Sequence, residues 1–168
     1  MTNSQTKKNV AFGIVGVGEV AEFRLLPALL QVPHATLHAV CSRDMARACA
    51  LVKKFGATHA YSSYDEMLRD PNIDAVIIAT PDKLHAQMCI DGANAGKHVF
   101  VEKPMATDPE SAQRMRDATH RNNVKLAVGY HLRHHAGHRS LKETIALGDI
   151  GVPLHVKLMW TYTAPEND

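Results

Sequence analysis

Cysteine is scarce in this chain, with three in 168 residues, and Cys41, Cys49 and Cys89 form no CxxC pair. An odd, scattered set excludes a disulfide framework and reads as reduced thiols on strand and helix faces of a cytoplasmic protein. Long apolar runs are also missing. None approaches the roughly 20 residues of a membrane span, so no membrane association is expected. The first nine residues, Met1 to Asn9, are polar with two lysines and lack the apolar core of a signal peptide. Charge of one sign is not in excess either: the net charge of +2 is small and dispersed, and does not argue for nucleic acid. His131, His134, His135 and His138 cluster late in the chain, without an HExxH pattern or a carboxylate. On a helix His134 and His135 would diverge by ~100°, and no metal site is expected there.

What the sequence does have is a regular alternation of strands and helices. Continuous apolar runs suited to buried parallel strands occur at Val10–Val15, Thr36–Cys41, His59–Tyr61, Asp74–Ala79, Val99–Val101 and Lys125–Val128. Between them lie helical segments. Glu19 to about Leu30 contains Pro27, which should kink it. Asp44 can cap a helix that ends at Phe55-Gly56, and Tyr64–Leu68 and Leu84–Ala95 follow. Asp108 then caps a helix with Pro109 in its first position. The pattern predicts an α/β fold, a doubly wound parallel sheet of the Rossmann type with right-handed crossovers, over residues 1–130. Residues 131–168 fall outside it. Ala136–Leu147 reads as helix, Gly148–Gly151 as a turn, and Leu154–Trp160 alternates as a half-buried strand does. They are expected to begin a second α+β domain. The unpaired edges of that strand lead to an expected homo-oligomer.

Gly16-x-Gly18-x-x-Ala21 stands between the first strand and the first helix. Gly16 permits the tight turn, Gly18 lets backbone approach a pyrophosphate, and Ala21 keeps the helix close to the strand. The helix opening at Glu19 and Val20 offers free N–H groups and a positive dipole end to phosphates. An ordinary glycine turn has the same look, but the strand–turn–helix context favours dinucleotide binding. The tip of the second strand reads Cys41-Ser42-Arg43-Asp44. Ser42 stands where NAD enzymes carry an acid for the ribose 2′-hydroxyl, and Arg43, with Arg47 one turn on, suits a 2′-phosphate. NADP is therefore expected, with NAD possible if Asp44 served the ribose and the arginines were merely solvated. Asp44 is better explained as a helix cap.

Ligands of open α/β sheets lie outside the carboxyl ends of the strands. Glu102-Lys103-Pro104 follows the fifth strand and is placed to touch whatever the glycine loop holds. Hydride movement at a carbonyl carbon must be matched by proton movement at its oxygen, and a lysine there can polarise or protonate it. A surface ion pair after a strand is the plain alternative.

With these residues in view, the chain resembles the Gfo/Idh/MocA oxidoreductases, NAD(P)-dependent enzymes of sugars, cyclitols and related carbonyl compounds. The resemblance runs from Val10 to about Trp160 and is most specific over Gly96–Pro104. It implies a small-molecule, sugar-like substrate, with Lys103 as acid/base or substrate anchor and Glu102 orienting it or touching the cofactor. It also implies a cis Lys103-Pro104 bond. Thr80, Pro81 and His85 resemble the family's Thr-Pro…His loop along the nicotinamide, where His85 can instead cap or pack the turn. Gly129-Tyr130-His131-Leu132-Arg133-His134-His135 resembles the Gly-Tyr-x-x-Arg segment beneath the active site, which makes Arg133 a cofactor or substrate anchor. His134 departs from the aromatic residue usual there. Family members are about twice as long, so the sequence is read as a truncated enzyme or excised domain, inactive by itself. Non-enzymatic dinucleotide sensors share the fold and remain the alternative, while a methyltransferase-like domain is disfavoured by Glu-Lys-Pro and Thr80-Pro81.

Overall fold

Six parallel strands form one sheet in the order β3-β2-β1-β4-β5-β6, in a computed structural model that describes residues 9–159 and 161. The strands are β1 (Val10–Val15), β2 (Ala35–Cys41), β3 (His59–Tyr61), β4 (Ala75–Ile78), β5 (His98–Val101) and β6 (Leu126–Val128). Strand order reverses between β1 and β4, which creates a topological switch point at their carboxyl ends.

Alternation along the strands builds a core on each face. On one face Val76, Ile78, Val99 and Val101 pack with Met67, Cys89 and Met115. These last three come from α3 (Tyr64–Leu68), α4 (His85–Asn94) and α5 (Pro109–Arg121). On the other face Ile14, Val40 and Ile77 meet Leu26 of α1 (Leu26–Leu29) and Ala48 and Leu51 of α2 (Met45–Phe55). Helices on both faces explain why β4 is buried along its whole length. Asp44 caps α2 by accepting from the Arg47 N–H at 3.2 Å, Gly56 closes it in the left-handed region, and Asp108 caps α5 through Ser111 N–H.

Pro27 does not simply kink the first helix. Residues Ala21–Leu25 form a π-helical turn ahead of α1, with Leu26 N–H bonded to the Ala21 carbonyl. A proline ring clashes with the carbonyl four residues before it, here Phe23, and the wider turn relieves that crowding.

A second irregularity lies in β2. Phe12 of β1 faces Leu37, but Gly13 faces Ala39, so His38 is an extra residue without a partner on β1. Leu37 accordingly packs in one core and Ala39 in the other. The bulge brings His38 to Asp70, whose Oδ2 is 2.9 Å from His38 Nε2 and accepts from the Tyr61 hydroxyl at 2.9 Å. Burial works to raise the Asp70 pKa. The bonds from Asn72 N–H, Tyr61 and His38 outweigh it and hold the carboxyl down at about 2. Nearby, the buried Lys97 ammonium donates to the carbonyls of Asp70 and Ile73, both at 2.8 Å.

The chain divides into two compact units, residues 1–129 and 130–168. In the second, a 3-10 turn (His131–His134) precedes α6 (Ala136–Leu147), which Gly148 ends. The strand expected over Leu154–Trp160 is not present over 154–159, and Trp160 lies outside the described residues. The alternating side chains Leu154, Val156 and Leu158 are exposed. A strand needs a neighbour to bond its backbone, and no described residue supplies one. No helix among the described residues is long and apolar enough to cross a membrane.

Candidate functional site

The carboxyl ends of the sheet are held in line by a relay of backbone bonds. Ser42 N–H donates to the Tyr61 carbonyl, Gly16 to Cys41, Ala79 to Val15, Glu102 to Ile78 and Gly129 to Val101. Each residue just past a strand thus bonds the end of the next, and the loops leave from one level. Around the switch point they enclose a cleft of about 690 Å³. This size suits a small molecule or cofactor.

Gly16, Gly18, Glu19, Val20, Ser42, Arg43, Arg47, Thr80 and Pro81 all line this cleft. The two glycines serve different ends. Gly16 has φ +90°, and a Cβ there would run into the Ala79 carbonyl, so neither backbone nor space admits a side chain. At Gly18 an added Cβ would meet no protein atom within 4 Å. Among the described residues nothing requires glycine there. The open space is what a closely approaching pyrophosphate needs, beside the helix that opens at Glu19.

At the tip of β2, Ser42 Oγ accepts from Asp44 N–H at 3.2 Å, while the Asp44 carboxylate is engaged by its own helix. Arg43 and Arg47 are exposed and form no ion pair among the described residues. The Cys41 thiol in the wall is pushed up to about 11 by burial and by the Glu66 carboxylate, so it is a neutral packing group and not a nucleophile.

His85 does not line the cleft; it is buried at 1% exposure. Its Nε2 is 2.8 Å from the Thr80 carbonyl and its Nδ1 is 2.8 Å from that of Pro104. Whichever nitrogen carries the hydrogen donates to one of these carbonyls, and the ring packs between the turn after β4 and the turn after β5. A cofactor contact for His85 is therefore replaced by a tethering one. The Lys103-Pro104 peptide bond is cis, as expected. Lys103 is exposed, and its own N–H donates to Glu102 Oε2 at 3.0 Å. The Glu102 carboxylate lies against Gly129, where a Cβ would come within 3.1 Å of Oε1. Glu102 thus fixes the backbone of the turn and does not pair with the lysine ammonium. Arg133 belongs to the second unit, with its guanidinium over the Tyr130 ring at 5.9 Å.

Some wall residues escaped sequence reasoning. Ser62 follows β3 and was open to the same strand-end rule used for Ser42. Tyr64 and Met88 form another part of the wall, with Tyr64 Oη donating to the Met88 carbonyl at 2.9 Å. Burial raises the pKa of this phenol, so it stays protonated as a donor. No local sequence signal marks a helix tyrosine as cleft lining.

The fold and this glycine-cornered cleft define a dinucleotide-binding α/β protein. The match of residues 10–130 to the GFO_IDH_MocA model, an oxidoreductase family with an NAD-binding Rossmann fold, settles its kinship: the chain belongs to that family. It is 38% identical over 142 residues to an uncharacterized oxidoreductase, ORF334, of Rhizobium meliloti, covering 84% of this chain and 42% of that protein. Scyllo-inositol dehydrogenase from Lactobacillus casei, with bound NAD(H) and scyllo-inositol, is 31% identical with a TM-score of 0.80, over 86% of this chain and 43% of the other. A 3-ketoreductase from Actinomadura kijaniata in complex with TDP-benzene and NADP is 30% identical with a TM-score of 0.79, over 84% and 44%. This chain therefore spans less than half the length of these relatives. The cleft residues fit a nicotinamide dinucleotide, and relatives carry either form.

The two glycines separate experimentally. Gly16→Ala is expected to cost roughly 1–3 kcal/mol of stability, seen as an earlier urea midpoint. Gly18→Ala should leave the midpoint in place and weaken nicotinamide dinucleotide binding roughly tenfold or more in calorimetry. Equal stability losses in both would contradict the open space at Gly18.

Proposed function

We propose that the protein is an NADP-dependent oxidoreductase acting at a hydroxyl- or carbonyl-bearing carbon of a sugar, cyclitol or related small molecule. The observation that carries the cofactor choice is the tip of β2. Two exposed arginines line the cleft there, and the carboxylate beside them in sequence, Asp44, is spent on capping α2. Arg43 and Arg47 hold the 2′-phosphate with Ser42, the glycine turn and the Glu19–Val20 helix opening hold the pyrophosphate, and Thr80 and Pro81 border the nicotinamide. The bound nicotinamide supplies or accepts the hydride. Lys103 donates to the reacting oxygen or takes its proton, with Glu102 setting the turn that carries it. Arg133 anchors cofactor or substrate, and residues 131–168 open a second, substrate-binding domain. A reducing, cytoplasmic setting is supported by three free thiols, of which Cys49 is exposed.

Arg43→Ala should weaken NADP(H) by roughly tenfold or more, the loss of a charge-assisted contact of ~1.5–3 kcal/mol, and barely change NAD(H). Calorimetric titration of both cofactors decides the matter, and equal affinities in the wild type would reverse the NADP assignment.

Within the full-length protein, Lys103→Ala should lower turnover by roughly 10²–10⁴ with cofactor affinity nearly unchanged. Near-normal turnover on a polyol and sugar panel would make Lys103 structural. A full-length protein that binds NADPH yet turns over nothing would favour a dinucleotide sensor.

Self-association into a homo-oligomer is supported by the exposed Leu154, Val156 and Leu158. Light scattering on the purified chain should give dimers or larger species, and a strict monomer would remove this part of the proposal.

A further inference from the structure

Outside the cleft, the most unusual grouping of side chains gathers on β2, β3 and the turn after α3. His38 occupies the bulge of β2, His59 opens the edge strand β3, and Asp70 lies between α3 and β4. One donor atom from each lies within 4.8 Å of the other two. None of the three lines the dinucleotide cleft. We propose that His38, His59 and Asp70 bind one divalent transition-metal ion of the zinc(II) type, independently of the cofactor.

The donor set decides the class of ion. Two imidazoles and one carboxylate suit zinc and its neighbours, whereas calcium and magnesium demand oxygen donors. Three protein ligands leave a fourth position to water. Asp70 is prepared as a ligand. Its Oδ1 is fixed by Asn72 N–H at 2.9 Å and by Asn72 Nδ2 at 3.0 Å, which leaves Oδ2 presented toward His38 and Tyr61. Such outer bonds hold a carboxylate ligand in orientation. Lys97 holds the backbone of the same turn through the carbonyls of Asp70 and Ile73.

Zinc bonds of about 2.0–2.2 Å in a tetrahedron need donors roughly 3.3 Å apart, so the 2.9 Å His38–Asp70 pair must open slightly while the His59 donor, within 4.8 Å of both, closes in. His59 can provide that movement. It is exposed, its ring lies 5.0 Å from that of His38 and 6.2 Å from that of Tyr61, and neither contact locks it. His38 meanwhile exchanges its bond to Asp70 Oδ2 for the ion they share, and Tyr61 keeps its own. The result is a clamp that joins the edge strand to β2 and to the turn before β4. Any ion that binds the folded chain alone stabilises it.

The test is titration of the purified chain with ZnCl₂ by calorimetry and with CoCl₂ by visible absorption. The expected result is one saturable ion per chain, with Kd on the order of 10 μM or tighter. Cobalt should give the intense bands of a four-coordinate site, and excess zinc should raise Tm by roughly 5–10 °C. His59→Ala removes an exposed side chain and should fold normally by circular dichroism while weakening binding roughly tenfold or more. A variant with His131, His134, His135 and His138 all changed to alanine should bind as the wild type does. Unchanged affinity in His59→Ala, loss of binding in the fourfold variant, or no saturable site would each overturn the proposal.

Discussion

The contact between Gly16 and the Ala79 carbonyl sets the geometry on which the cleft depends. It occurs where strand order reverses, so no side chain can separate the ends of β1 and β4. From there the backbone relay runs outward in both directions, through Cys41 and Tyr61 on one side and Ile78 and Val101 on the other. Each donor is the residue immediately beyond a strand. The glycine turn, the arginine-bearing tip of β2, the Thr80–Pro81 turn and the lysine turn therefore share one rim. That rim is built from main chain, which a ligand does not have to reorganise.

Two side chains brace the turns of the rim, each in one of the two roles its sequence position leaves open. His85 lies between the carbonyls of Thr80 and Pro104 and donates to one of them, and Glu102 accepts from the N–H of Lys103 while resting on Gly129. Polar side chains that answer backbone groups hold turns in fixed positions. Lys103 itself is exposed.

Much of this was legible because it follows from local rules. Apolar runs of three to six residues, glycine after the first, and Asp44, Asp108, Pro109 and Gly56 at helix ends each report their own position. The glycine loop and the Ser42-Arg43 tip follow from strand-end placement. What was not legible depends on pairing in three dimensions. The bulge at His38 arises from register with β1, the burial of Lys97 from the turn at Asp70, and the wall made by Tyr64 from a bond to a helix twenty-four residues away. The Leu154–Trp160 alternation failed for the opposite reason. Its period is right for a strand, but a period is a statement about one chain segment, and a strand is a relation between two.

Both edges of the sheet end in strands of only three residues, β3 and β6. The central strands run to seven residues and are flanked on both sides. A molecule arriving to extend the sheet would find a border of only three residues on either side. Such short borders make poor templates for the stacking of copies that leads to fibrils. The brevity of β3 and β6 thus limits edge pairing in a protein whose central strand β4, Ala75–Ile78, is wholly apolar.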